Sequence, residues 1–184
     1  MASRVIRRIL KFINMFLMVP LFRLGLGSFV GNPITGYIMV VKTIGRKTGK
    51  ERYAPVNYAI LNGNIYCMAG FGKGSQWYRN LQVTPNIEII IPSGPMAGVA
   101  EDATNSEEFI RVIRQLLKNS GFAGFFAGFN PFTVSDTELR EKTKDYPLIR
   151  IRPTGVGSGA GDAGGWLWIL SLVVSVVVLW FVLR

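Results

Sequence analysis

Through the middle of this chain, apolar and polar positions alternate with the short period of β-strands. Residues 37–45 (YIMVVKTIG), 52–61 (RYAPVNYAIL), 64–70 (NIYCMAG), 86–91 (NIEIII), 96–102 (MAGVAED) and 146–153 (YPLIRIRP) read as strands, rich in β-branched and aromatic side chains. Asn62-Gly63 and the PSGP of residues 92–95 are hairpin turns between them. Helical spacing appears at 75–83, at 105–118 and, more briefly, at 135–144. For the second of these, Asn105 or Ser106 is the expected N-cap, with Glu107 and Glu108 in the first turn. Six short strands with few helices predict a mainly β (α+β) domain, a small antiparallel barrel with flanking helices. Its interior is too small for a large ligand, which would lie in a groove or at the mouth.

Both ends of the chain depart from that pattern. Residues 166–183 (WLWILSLVVSVVVLWFVL) carry no charge, about 27 Å of helix at ~1.5 Å per residue, with Trp166, Trp168 and Trp180 near the ends. The pattern predicts a transmembrane anchor, because a small domain rarely buries a helix apolar on every side. Residues 154–165 (TGVGSGAGDAGG) read as a flexible linker. At the N-terminus, Arg4, Arg7, Arg8 and Lys11 share one helical arc, while Val5, Ile6, Ile9, Leu10, Phe12, Ile13 and Phe16 share the other. Such a helix suits an anionic membrane surface. A signal peptide and an ordinary domain helix are the alternatives, although Lys11, Asn14 and Arg23 interrupt the apolar stretch a signal peptide needs. The implied organisation is a surface-helix region at 1–30, a barrel at 31–153, a linker at 154–165 and an anchor at 166–184. Twenty of 21 cations precede the anchor, which by the positive-inside bias puts the barrel on the cytoplasmic side of the cell membrane.

Charge and composition narrow the chemistry. The net charge is +10, and residues 1–50 hold nine Lys or Arg before the first carboxylate, Glu51, so anionic partners are expected. Histidine is absent, which excludes Ser-His-Asp triads, His-ligated haem and mixed His/Cys zinc sites. The single cysteine, Cys67, can form no intrachain disulfide and falls in an apolar run, where a buried thiol behaves as a small hydrophobe. No metal site is expected. Protein groups alone supply little catalysis here, so an enzyme of this composition needs a bound cofactor.

Two stretches offer a place for one. In GRKTGKERYAPV (45–56), Arg46, Lys47, Lys50 and Arg52, with Lys42 just before, surround a glycine turn. A solvated loop is the plain reading; nucleic acid is disfavoured by the lack of any recognisable motif, and a small phosphorylated ligand fits best. In GFGKGSQWYRNL (70–81), a strand ends in glycines and a helix begins with Trp77 and Tyr78 in its first turn, a flat wall for a ring system.

Together, T-I-G-R-K-T-G-K-x-R-x-x-P-V, the Asn-Gly hairpin and G-x-x-S-x-W-Y-R-N-L-x-x-x-P-x-I-E-I resemble the deazaflavin-dependent nitroreductase family over about residues 37–153. That resemblance implies a split β-barrel using reduced coenzyme F-420, a 5-deazaflavin with a phosphate-linked oligoglutamate tail. It implies that Arg46, Lys47 and Thr48 bind the phosphate end of the tail, with Lys50 and Arg52 helping. Tyr53, Ala54, Pro55, Val56 and Asn57 would line the middle of the cofactor. Ala69, Gly70, Phe71 and Gly72 would approach the deazaflavin through their backbone, and Gln76, Trp77, Tyr78, Arg79 and Asn80 would pack at its ring, Trp77 foremost. The chain departs from the family in its short GKGS loop before the Gln-Trp pair. It also has a charge-free, five-phenylalanine stretch at 121–132 (GFAGFFAGFNPF), an apolar lid or a packed surface loop, where relatives use tyrosines.

The expected function is therefore a membrane-anchored oxidoreductase that passes hydride from reduced coenzyme F-420 to a lipophilic acceptor such as a quinone, with nitroaromatics as incidental substrates. Tyr58, Ser75 and Tyr78 are the candidate proton donors. An FMN-dependent split-barrel oxidoreductase and a non-catalytic cofactor carrier at the membrane are the alternatives; four cations favour the polyanionic tail over FMN. Membrane lipid and the acceptor are the expected partners, nucleic acid is not, and a homodimer is left open.

Overall fold

The computed structural model describes residues 12–33, 36–121, 130–158 and 167–183. All six expected strands form: β1 Ile38–Ile44, β2 Glu51–Leu61, β3 Asn64–Met68, β4 Asn86–Ile91, β5 Gly94–Asp102 and β6 Leu148–Val156. They close into an antiparallel barrel in the order β1-β2-β3-β6-β5-β4, with β1 paired to β4. Around them stand helices α1 (Val19–Arg23), α2 (Gly27–Val30), α3 (Gln76–Leu81), α4 (Phe109–Lys118), α5 (Asp136–Thr143) and α6 (Leu167–Val182). Asn62 and Gly63 both take positive φ, 50° and 74°, the pair of conformations that a two-residue hairpin loop with the right twist requires.

Alternation divides each strand between two faces. Met39, Val41, Ile65, Cys67, Ile87, Ile89, Ile149 and Ile151 point inward and fill the barrel. Val40 and Ile90 point outward beneath Val19 and Phe22 of α1. Ala59, Tyr66 and Leu148 lie beneath Phe109, Val112, Ile113 and Leu116 of α4 and Leu139 of α5. Both faces of β1 are thus covered over its first half, which is why Ile38 to Val41 are apolar without a break, before Lys42 and Thr43. Cys67 is fully buried, and burial pushes its thiol far above the usual range, so it remains a neutral core residue.

Four expectations change. The helix expected from Asn105 starts at Phe109. Glu108 is drawn away from first-turn duty, because its carboxylate accepts the Tyr66 hydroxyl at 2.7 Å and the Asn62 amide at 3.2 Å. Strand β6 runs to Val156, beyond Pro153, because backbone pairing to β5 (Met96 with Val156, Ala97 with Gly155) needs no side chains. The N-terminal region divides. Val19 and Phe22 fold onto the barrel, whereas Phe12, Ile13, Phe16, Leu17 and Phe29 (76% exposed) face outward, the Phe12 and Phe16 rings 4.5 Å apart; Arg4, Arg7, Arg8 and Lys11 lie outside the described residues.

The transmembrane expectation finds no support in the described helix. Helix α6 has 16 residues, about 24 Å at ~1.5 Å per residue against a hydrocarbon core of about 30 Å. Among the described residues no helix is long and apolar enough to cross a membrane. Its side chains from Leu172 to Val182 are all exposed, with no apolar face tucked against the barrel. Of the phenylalanine-rich stretch, 122–129 lie outside the described residues; Phe132 is exposed, with the Lys118 ammonium 5.4 Å from its ring centre.

Candidate active site

Strand registers bring the two sequence stretches to one end of the barrel. Ile44 pairs with Glu51, so the turn at 45–50 stands where β1 ends and β2 begins. β3 runs antiparallel to β2, and its C-terminal Met68 leaves at that same end. β4 enters there, Glu88 beside Lys42, and β5 leaves there at Asp102, beside Ile149 of β6. Helix α3, joining β3 to β4, therefore closes this end, and its Tyr78 and Leu81 are buried in the barrel core.

The basic turn is shaped by its own backbone. Gly45 N–H donates to the Lys50 carbonyl at 2.8 Å, and the Thr48 and Gly49 N–H groups donate to the Gly45 carbonyl at 3.0 and 2.8 Å. Thr48 Oγ1 accepts from Lys50 N–H and from the Arg52 guanidinium, both at 3.4 Å. Arg46 turns toward α3. Its backbone N–H and guanidinium reach Asn80 Oδ1 at 3.3 and 3.1 Å, and its other terminal nitrogen reaches Gln76 Oε1 at 3.0 Å. No carboxylate lies within ion-pair distance of Arg46, Lys47, Lys50 or Arg52 among the described residues. Positive charge left uncompensated at one rim is what an anionic ligand requires.

Lys42 does not belong to this group. It points to the outer face, where its ammonium pairs with Glu51 at 2.9 Å and Glu88 at 3.6 Å and lines a cavity of about 470 Å³ with Asn86, Thr154 and Ser158. Burial alone would lower this ammonium; the Glu51 hydrogen bond and the Glu88 charge outweigh it and hold the pKa above its ordinary value.

The stretch 53–57 is split by alternation. Val56 and Tyr58 pack against the barrel interior, with Ala54 on that face. Tyr53 joins the outer cluster, its ring under the Arg23 guanidinium (5.3 Å) and its hydroxyl donating to Glu51 at 2.7 Å. Pro55 shares that outer parity opposite Val40, and Asn57 spends its amide on the Tyr37 carbonyl at 3.3 Å. The glycine loop is more uniform. Ala69 is buried and anchored through its N–H to the Pro147 carbonyl at 3.0 Å, after which Gly70, Phe71, Lys73 and Gly74 are exposed and Gly72 partly so. A Cβ added at Gly70 or Gly74 would meet no atom of the described residues within 4 Å, so this backbone is open on that side. The Arg79 guanidinium closes the loop by donating to the Lys73 carbonyl at 3.0 Å. Trp77 is half-buried on the core cluster.

The three candidate proton donors differ. The Tyr78 hydroxyl donates to Asp102 at 3.0 Å; burial and this bond raise its pKa, so the phenol is neutral and committed. Tyr58 is also raised, by burial and by Tyr37, but among the described residues no group hydrogen-bonds its hydroxyl. Ser75 occupies the N-cap position of α3 without capping it, and its buried hydroxyl has no partner among the described residues. Such an orphan costs about 1–3 kcal/mol unless a ligand or water satisfies it. Burial would raise the Asp102 carboxyl, but hydrogen bonds from Thr104 and Tyr78 and the nearby Lys73 hold it below the usual range. A depressed carboxyl contributes stability that is present above its unfolded pKa and lost as pH falls through the folded one. Asp102→Asn is therefore expected to flatten the loss of melting temperature between neutral and acidic pH, and thermal melts across that range check it. Sequence spacing did not reveal Asp102 or Thr43, the latter accepting from buried Asn80 at 3.2 Å.

The sequence profile of a family described as F420H(2)-dependent quinone reductase matches residues 21–123, more than half of the chain, including the basic turn, the glycine loop and α3. The chain belongs to that family. It is a deazaflavin-dependent reductase, and coenzyme F-420 is its cofactor. Among solved structures, one titled F420 Reductase is 16% identical with a TM-score of 0.43, covering 71% of this chain and 94% of its own. Another, F420-H2 Dependent Reductase (FDR-A), is 22% identical with a TM-score of 0.43, covering 62% and 92%. HutZ, a heme storage protein from Vibrio cholerae, is 15% identical with a TM-score of 0.47, covering 74% and 87%. The residues of this quinone reductase family member suit the cofactor: cations with no carboxylate partner among the described residues for a polyanionic tail, open glycine backbone and a half-buried indole for a flat ring, and between them in sequence a buried hydroxyl with no described partner.

Proposed function

We propose that this enzyme passes hydride from reduced coenzyme F-420 to a quinone-type acceptor met at a lipid surface. The observation that carries the reading is the uncompensated basic turn hydrogen-bonded directly to the helix that bears Trp77. Lys47, Lys50, Arg52 and the outward N–H groups of Arg46 hold the acidic tail; Gly70 to Gly74 admit the ring edge, and Trp77 supports its face. When bound, the cofactor supplies a hydride from C5 of its deazaflavin ring. Quinol formation needs one further proton, for which Tyr58 and Ser75 offer hydroxyls with no partner among the described residues, whereas Tyr78 is held by Asp102. Lipid association rests on α6, whose apolar side chains from Leu172 to Val182 are exposed, and on the outward Phe12, Ile13, Phe16 and Leu17 beside the cation-rich N-terminus. The same excess of cations suits the anionic cytoplasmic leaflet.

Full-length protein in anionic vesicles, given reduced coenzyme F-420 and a menaquinone analogue, is expected to regenerate the oxidised cofactor's absorbance over many turnovers. A single stoichiometric turnover would indicate a carrier, and no oxidation with any of a panel of quinones would remove the acceptor assignment.

A further inference from the structure

Asn80 is 4% exposed, and its carboxamide is consumed inside the protein. Oδ1 accepts both the backbone N–H and the guanidinium of Arg46, and Nδ2 donates to Thr43 Oγ1 near the end of β1. The orientation of the amide follows from its partners, since a guanidinium has only donors and must face the oxygen. Gln76, one turn earlier on the same helix face, accepts from the other terminal nitrogen of Arg46. Both side chains come from α3, which also carries Trp77, while Arg46 belongs to the basic turn. These bonds leave Nε–H and the outward N–H groups of Arg46 available to an anion.

We propose that Asn80, seconded by Gln76, is a positioning residue: it clamps Arg46 and so joins the anion-binding turn to the Trp77 wall as one preformed site, without touching the cofactor itself. The inference rests on the coenzyme F-420 reading above. With both directions of its oxygen occupied and its nitrogen turned to Thr43, the buried amide has little left to offer a ligand. Arg46 gains a defined direction before the tail arrives, and a long side chain already ordered loses less freedom on binding.

A double-mutant cycle in the full chain tests this: Arg46→Ala, Asn80→Ala and both together, read by quenching of coenzyme F-420 fluorescence. The titration is repeated with the deazaflavin chromophore that lacks the phosphate and glutamate tail. Asn80→Ala is expected to weaken the complete cofactor about tenfold, to change the tail-less chromophore by less than about twofold, and to add less than about twofold once Arg46 is alanine. Without any ligand, amide exchange of Arg46 should accelerate about tenfold in Asn80→Ala while Val41 in the barrel stays protected. Additive losses in the double variant would mean that Asn80 contacts the cofactor, and would overturn the proposal. Equal weakening of both ligands with exchange raised throughout the barrel would overturn it too, as a mere loosening of the fold. Should Asn80→Ala fail to fold, Gln76→Ala carries the cycle, with a smaller tail-specific loss of about threefold expected and no loss overturning the proposal. Wild-type protein that leaves the fluorescence untouched would instead sink the cofactor reading, and this inference with it, whatever the exchange shows.

Discussion

Replacing Lys47 and Lys50 with glutamate is expected to weaken coenzyme F-420 binding about a hundredfold, or roughly 2.7 kcal/mol, with little change in melting temperature. Both side chains are exposed and neither makes an ion pair among the described residues, so the described fold loses no ion pair. Surface changes of this kind usually stay within about 0.5 kcal/mol of stability. The ligand is affected differently. A unit pair at about 4 Å is worth about 1 kcal/mol even with the dielectric of water, and reversing a charge replaces that gain with a cost of similar size. Two reversals therefore move about 4 kcal/mol, of which salt screening removes a part. The tail lies remote from the reacting carbon, so the loss should fall on KM for the cofactor and spare kcat at saturation. Titration at several salt concentrations checks this. A double variant whose affinity lies within about threefold of wild type, with an unchanged salt dependence, would move the tail away from the turn.

The second large effect concerns lipid. A chain ending at Ser158 lacks α6 but keeps the whole barrel, including the Gly157 N–H bond to the Pro95 carbonyl and the Ser158 hydroxyl bond to Glu88. Its affinity for anionic vesicles is expected to fall by more than about a hundredfold, while its melting temperature and cofactor affinity stay near those of the full chain. The exposed side chains of α6 are Val, Leu, Ile, Trp and Phe, each worth about 1.5–3 kcal/mol on full burial in an apolar phase. Transfer of only a few of them exceeds the roughly 2.7 kcal/mol that a hundredfold requires. What remains should be weak, salt-sensitive binding through Phe12, Phe16, Leu17 and the basic N-terminus. Co-sedimentation with vesicles of varied anionic content separates the two contributions, and equal sedimentation of both chains would remove α6 from the account.

The strands were legible because burial on one or both faces writes itself into local alternation, and the Asn62-Gly63 hairpin because few other residues accept its two positive φ angles. The cation cluster was legible as composition, since runs of Lys and Arg need no partner to be noticed. Its membership was less so. Lys42 and Lys47 look alike in the sequence, yet one faces Glu51 and Glu88 across the outer sheet and the other faces solvent. The start of α4 was misplaced for a related reason: the capping residues were present, but Glu108 does more for the fold by accepting Tyr66 and Asn62 than by sitting in a first turn. At the C-terminus, hydropathy marked the apolar stretch; among the described residues the helix within it runs over Leu167–Val182, and none is long and apolar enough to cross a membrane.

Periodicity and turn chemistry, both local properties, were enough to determine a six-stranded barrel, its hairpins and two stretches suited to an anion and a ring. Only closure of the barrel decided how those stretches meet. The bonds from Arg46 to Asn80, from Asn80 to Thr43 and from Tyr78 to Asp102 join residues 34, 37 and 24 positions apart. The pairing of β1 with β4, and the helix laid across that end, bring such partners within reach. A hydrogen bond depends on where two groups end up to within a fraction of an ångström, and local alternation carries no information at that range.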